Sequence, residues 1–198
     1  MKDNSLYESL ILFTERAGAS KVALVPVSAI VIEDQLAAMC REPGCEKYGM
    51  SNRCPPYVSG PDGFRKLIQD YGEAIFFKID VPYDILMSNE RREFFQLLHE
   101  IASGAELFAL KKGFNKAKAF AGGSCKKIFC YDHPECAVLS GKGDCRYPDS
   151  PRQSMSGFGI NVGKLMKTVG WDKDALVDDT GNEGGAMSYI CGLVLLGV

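Results

Sequence analysis

The chain has 198 residues, 46% hydrophobic and 24% charged, which is the balance of a globular protein and excludes a disordered or collagen-like one. Against a soft prior of about 150 residues per domain, this length reads as one domain over residues 1–198, long enough to bury a core without disulfides. Twenty-three basic residues against 25 acidic ones leave a net charge of −2, which argues against electrostatic capture of nucleic acid. No apolar run reaches the roughly 18 residues of a membrane span, and the stretch from Met1 to Ser5 lacks the apolar core of a signal peptide. The expectation is a cytoplasmic protein without nucleic-acid or membrane partners.

Taken in order, Ser5-Leu6-Tyr7-Glu8 has the form of a capping box, and the helix it starts runs to Gly18. Residues 21–32 are rich in β-branched and apolar side chains, with Pro26 marking an edge or an end. A turn-forming stretch follows, dense in Pro and Gly, which predicts loop through Pro61. A short helix over 62–71 leads into a strand over Glu73–Val81. Ser88 opens the longest helix, whose apolar stripe (Phe94, Leu97, Leu98, Ile101, Ala105, Phe108) stops at Gly113. Lys116–Ala121 predicts a strand that feeds through Gly122-Gly123-Ser124 into Cys125. A second Gly- and Pro-rich loop reaches Pro148, and Ser150-Pro151 predicts a helix start. Another helix passes through Leu165, Met166 and Val169 to Gly170. Asp172, Asp174, Asp178, Asp179 and Glu183 suggest a solvated acidic loop before a buried strand over Tyr189–Leu196. The alternation predicts an α/β sandwich: about four strands flanked by helices, with two cysteine-rich loops leaving strand ends.

Eight cysteines are many for a reducing compartment, where clustered thiols serve as metal ligands or catalytic groups more often than as bridges. Cys125, Cys130, Cys136 and Cys145 form C-x4-C-x5-C-x8-C, four thiolates able to surround one centre, either zinc or an iron–sulfur cube of the 4Fe-4S type. The wide spacings differ from the paired short knuckles of structural zinc sites and favour iron–sulfur. Lys126, Lys127 and Arg146 flank the ligands and would offset thiolate charge.

Cys40, Cys45 and Cys54 form C-x4-C-x8-C-P-P, whose Cys-Pro step is that of bacterial ferredoxin motifs. Three cysteines are an incomplete set; the fourth ligand is Cys191, a histidine, solvent or substrate, or else the loop holds no second centre. Because loops from neighbouring strand ends meet at a sheet edge, the two groups are expected to approach each other.

The segments CREPGCEKYGMSNRCPP (40–56), Cys145-Arg146-Tyr147-Pro148 and PRQSMSGFGI (151–160) resemble an uncharacterised family of predicted cysteine-motif metal-binding proteins. The resemblance implies cysteine-ligated metal, most simply iron–sulfur, in a small cytosolic protein without an established reaction. The four residues between Cys125 and Cys130 depart from the tighter C-x2-C spacing of that pattern.

Other residues read more plainly. Cys191, inside an apolar strand, is a small buried hydrophobe before it is a ligand. His133 belongs to a polar loop, and His99 to a helix surface or boundary. Lys111, Lys112, Lys116, Lys118, Lys126 and Lys127 are a solvated face, or else a docking patch for an acidic redox partner. Two histidines leave little for a triad or a histidine-based zinc hydrolase, and no nucleotide-binding loop or C-x3-C-x2-C motif is present. Three functions remain: an iron–sulfur protein serving electron transfer or a redox partner enzyme, a structural or regulatory zinc protein, and an enzyme using an open-site iron–sulfur cluster.

Overall fold

The computed structural model describes residues 4–172 and 187–197. Helix α1 (Asn4–Arg16) begins one residue ahead of the expected cap, with Asn4 Nδ2 donating to Glu8 Oε1 at 2.9 Å. Strand β1 (Lys21–Pro26) stops at its proline, sooner than the sequence suggested, because Pro lacks the N–H that would continue the ladder. Then come α2 (Asp34–Ala38), α3 (Gly60–Leu67) and β2 (Glu73–Pro82). A short helix α4 (Tyr83–Met87) precedes the long α5 (Arg91–Lys111), where Ser88 Oγ accepts from Glu90 N–H ahead of the first turn. The remainder is β3 (Lys116–Ala121), α6 (Cys125–Ile128), β4 (Gln153–Ser154), α7 (Val162–Thr168) and β5 (Met187–Gly197).

The last strand sits in the middle. Sheet order is β1-β2-β5-β3-β4, antiparallel at every pair except the two-residue parallel ladder of β3 with β4. The sheet thus has a fifth strand beyond the four expected. The helix start expected at Ser150 is instead this short β4 and a tight turn over 155–158. Of the acidic stretch, Asp174, Asp178, Asp179 and Glu183 lie outside the described residues.

Both sheet faces are covered, which is why β2 and β5 read as nearly unbroken apolar runs. Ile75, Phe77, Ile79, Ile190 and Val194 pack beneath α1 and α5, against Leu10, Leu98 and Ile101. Ala74, Phe76, Cys191, Leu193 and Leu195 face the other layer, where Phe64, Phe158, Leu165 and Met166 close over them. Each fully buried large side chain contributes about 1.5–3 kcal/mol of transfer free energy. Gly192 on β5 is required by this packing: a Cβ built there would stand 2.3 Å from Phe77 Cζ.

Two features position the cysteine loops. At the end of β3, Gly122 N–H donates to Cys191 O at 3.1 Å, and Gly123, at φ +86°, turns the chain under Phe95 into α6. The first cysteine loop follows helix α2 rather than a strand end. It is held to the 155–164 segment by the Ile32–Ile160 bridge, by Glu33 N–H donating to Gly159 O at 2.8 Å, and by the 2.6 Å Lys164–Glu33 ion pair.

Replacing Gly192 by Ala is expected to destabilise the protein by about 1–3 kcal/mol through overpacking against Phe77. Denaturant midpoints of the two proteins check this, and equal midpoints would contradict it.

Candidate metal centre

All eight cysteines are free thiols. Residues Cys40–Gly44 form one wide turn closed by Cys45 N–H donating to Cys40 O at 3.0 Å. Tight turns then carry the chain past Ser51, with Tyr48 N–H donating to Cys45 O, Cys54 N–H to Ser51 O, and Tyr57 N–H to Cys54 O. The result places Cys40, Cys45 and Cys54 on the wall of one cavity of about 550 Å³. Cys40 is half-buried, Cys45 exposed and Cys54 buried. Burial pushes the Cys40 thiol up, and the neighbouring Cys45 and Cys54 push it further. Burial also raises Cys54, opposed by hydrogen bonding toward the Ser124 and Ser51 hydroxyls.

The second group surrounds a cavity of its own. Cys125, Cys130, Cys136 and Cys145 all line a space of about 20 Å³, enough for one water-sized body, together with Ser51, Phe129 and Arg146. Lys126 is a buried cation serving the loop itself, since its Nζ donates to Cys130 O at 2.8 Å and His133 O at 2.6 Å. Arg146 donates to Glu135 O at 3.2 Å, and Cys145 Sγ to Tyr147 O at 3.2 Å. Burial raises the Cys125 thiol to about 11. It raises Cys130 too, against the hydrogen bond and charge of Arg146. For Cys136 burial is outweighed: the backbone N–H groups of Leu139, Asn52 and Val138, with Arg146, bring its thiol below the ordinary value.

The two groups meet. Ser51 is fully buried, and its Oγ shares a 3.1 Å hydrogen bond with Cys125 Sγ while accepting from Arg53 N–H at 3.0 Å. Arg53 also reaches across to Pro148 O, and its charge favours the Cys125 thiolate.

The donor set fits a thiolate-ligated metal, because four cysteines line one cavity and backbone N–H groups are aimed at one of them. Among the described residues, no three Cys, His, Asp or Glu groups are drawn tightly enough together to close on a single ion. Binding at the second group therefore requires its loop to draw inward, or a polynuclear centre to span the gap.

A family model described as a predicted metal-binding protein, DUF2284, matches residues 23–196. The chain belongs to this family. The match covers both cysteine groups and every strand except Lys21 and Val22 of β1 and Gly197 of β5. Neither the curated proteins nor the solved structures include a match. Among the described residues, no helix is long and apolar enough to cross a membrane.

The other sequence candidates fall elsewhere. Cys191 lines neither cavity; it is buried in the sheet opposite Lys78, its thiol raised to about 12 by burial. His133 lines neither cavity, its Nε2 lying 3.7 Å from Asp132. The six lysines do not form one face: Lys126 is buried, Lys116 pairs with Asp70, and Lys112 lies over the Phe108 ring.

The boundary position expected for His99 is corrected, for it is completely buried against Phe129 of the second loop, its Nδ1 accepting from Arg152 N–H at 3.0 Å. The signal was present in Leu98, Ala102 and Ala105, which widen the apolar stripe to include it. Ser51, Ser124 and Arg53 were also missed, and only long-range contacts identify them.

Burial, followed by the Arg152 and Arg53 cations, lowers His99 to about 3, while the Gly122 backbone opposes the shift. The unfolded chain takes up this proton near pH 6.5, whereas the folded one resists until about pH 3. His99 therefore permits full stability above pH 6.5 and erodes it below. Between pH 6 and pH 4 the wild type should lose about 1.4 kcal/mol per pH unit more than His99→Gln. Denaturation at a series of pH values reads this difference, and parallel slopes would refute it.

Proposed function

We propose that the protein works in the cytoplasm as an iron–sulfur protein with two neighbouring centres that transfers electrons to or from a redox partner. Cys125, Cys130, Cys136 and Cys145 would hold a closed centre. Cys40, Cys45 and Cys54, which line the larger cavity, would hold an open one. A bound 4Fe-4S group supplies one-electron redox chemistry.

The observation that carries this reading is the convergence of seven cysteines on two cavities, whose loops the Ser51–Cys125 hydrogen bond joins. The chain's own groups fit the role. Ser51 can stabilise negative charge on Cys125, backbone N–H groups do so at Cys136, and Arg146 does so at Cys130. Buried Lys126 holds the carbonyls of Cys130 and His133 together, which fixes the turn between two ligands.

One observation favours a second reading. The space among the four cysteines is only about 20 Å³, so a loop that drew inward would close on a single zinc ion before it could admit a cube, and zinc there would staple the loop.

Anaerobic purification followed by iron, acid-labile sulfide and zinc analysis separates the two readings. The first predicts a brown protein with about eight irons per chain, falling to about four in a Cys40/Cys45/Cys54 triple Ser variant. A colourless protein containing zinc establishes the second reading. Iron unchanged in the triple variant would remove the open centre.

Single Ser replacement of Cys125, Cys130, Cys136 or Cys145 should each abolish the closed centre and raise proteolysis within 122–148. Wild-type metal content in two of the four variants would break this grouping.

A further inference from the structure

We propose that the 550 Å³ cavity beside Cys40, Cys45 and Cys54 binds a small carboxylate with an apolar body, held by the Ser124 hydroxyl and the Lys47 ammonium. The part of the proposal that places the carboxylate against an open metal position rests on the two-centre reading above.

Size and lining support a ligand site. The volume lies within the roughly 300–1,000 Å³ of small-molecule pockets, and such pockets are mainly apolar with a few placed polar groups. Here Leu36 and Met39 from α2 form one wall, and Ile160 and Val162 another. Met39 stays 55% exposed, a large apolar side chain at the rim with an unfilled surface beside it.

Charge selects the ligand's polar end. Among the described residues, the lining contains no Asp or Glu, and its one formal cation is Lys47. The Lys47 ammonium meets Glu46, whose side chain is 74% exposed and does not line the cavity, so this partner can leave to solvent. Ser124 is the second selector. It lines the cavity at 7% exposure, and its Oγ is buried without a well-formed hydrogen bond. A buried hydroxyl with no better neighbour than the Cys54 thiol is poorly satisfied, and a ligand oxygen beside it would remove that cost. Ser124 also adjoins Cys125 and acts on Cys54, so a carboxylate accepting its hydrogen bond would lie between the two cysteine groups. An alcohol or amine of the same length offers no anion to Lys47, and a hydrophilic acid leaves the apolar walls unpaired.

The test is calorimetric titration of the anaerobically purified protein with hexanoate, with hexanol and acetate as controls, after iron and sulfide have been measured. Hexanoate should bind at least about tenfold more tightly than either control. Ser124→Ala should weaken hexanoate about tenfold and hexanol by less, since a hydrogen bond to a charged group is stronger than one to a neutral oxygen. Val162→Trp, which fills the cavity from a lining position outside the cysteine loop, should abolish binding while iron content stays at the wild-type level. Hexanoate should also change the electron paramagnetic resonance spectrum of the reduced protein.

Equal affinity for hexanoate and hexanol, or unaltered binding in Val162→Trp with iron intact, overturns the proposal. Hexanoate bound without any spectral change overturns the placement against an open metal position. Calorimetry needs no metal, so a protein without iron and sulfide refutes the two-centre reading while the titration still decides the cavity.

Discussion

A single buried hydroxyl links segments 74 positions apart: Ser51 Oγ, within the first cysteine loop, is bonded to Cys125 Sγ at the start of the second. Neither loop could order itself alone. Residues 40–59 contain only five described helical positions and no strand, and residues 129–152 contain neither. With little apolar surface to bury, such segments gain order from hydrogen bonds, from each other, or from a metal that coordinates both ends of a turn. The Ser51 contact makes them one unit. Ser154 N–H donating to Arg53 O and Arg53 reaching Pro148 O close the same unit from the far side.

The sheet determines where that unit stands. Because β5 enters between β2 and β3, antiparallel to both, the end of β3 lies beside Cys191 on the central strand, and Gly122 is anchored there. Cys125 thus starts three residues from an anchor on the central strand, with Phe129 packed on His99. The other loop starts from α2, a short helix tied to the 155–164 segment. One cysteine group hangs from the core and the other from a lighter, separately anchored arm. This difference matches their cavities, one small and lined by four cysteines, the other large and lined by three.

Burial works against the thiols and in favour of metal. Desolvation raises Cys40, Cys54, Cys125 and Cys130, which keeps them protonated at neutral pH and protects them from oxidation. A bound cation reverses that balance, because it stabilises the thiolate in the same low-dielectric surroundings that disfavour it alone. Metal binding then releases protons and orders the loops together, so stability and metal content are expected to move as one quantity.

Much of this was legible in the sequence, for physical reasons. Strands β2 and β5 announced themselves as apolar runs because both of their faces are covered, and α5 did so through its stripe ending at Gly113. The cysteine spacings marked both loops, and their approach followed from the way sheet edges gather loops, although the first loop proved to leave α2. The two-residue β4 was not legible, since its pairing with Phe120 and Ala121 is a tertiary fact that no local pattern encodes. His99 was misread because polarity outweighed its apolar neighbours at helical spacing. Ser51 and Ser124 carry no local signal, as a serine in a turn is ordinary until a distant sulfur is found beside it.

The measurement that bears most directly on two cysteine-ligated centres is an anaerobic crystal structure with anomalous scattering recorded at the iron and zinc edges. The account predicts two separate iron peaks, one enclosed by Cys125, Cys130, Cys136 and Cys145 and the other against Cys40, Cys45 and Cys54, on either side of Ser51. A single peak, or none in contact with these sulfurs, would contradict it.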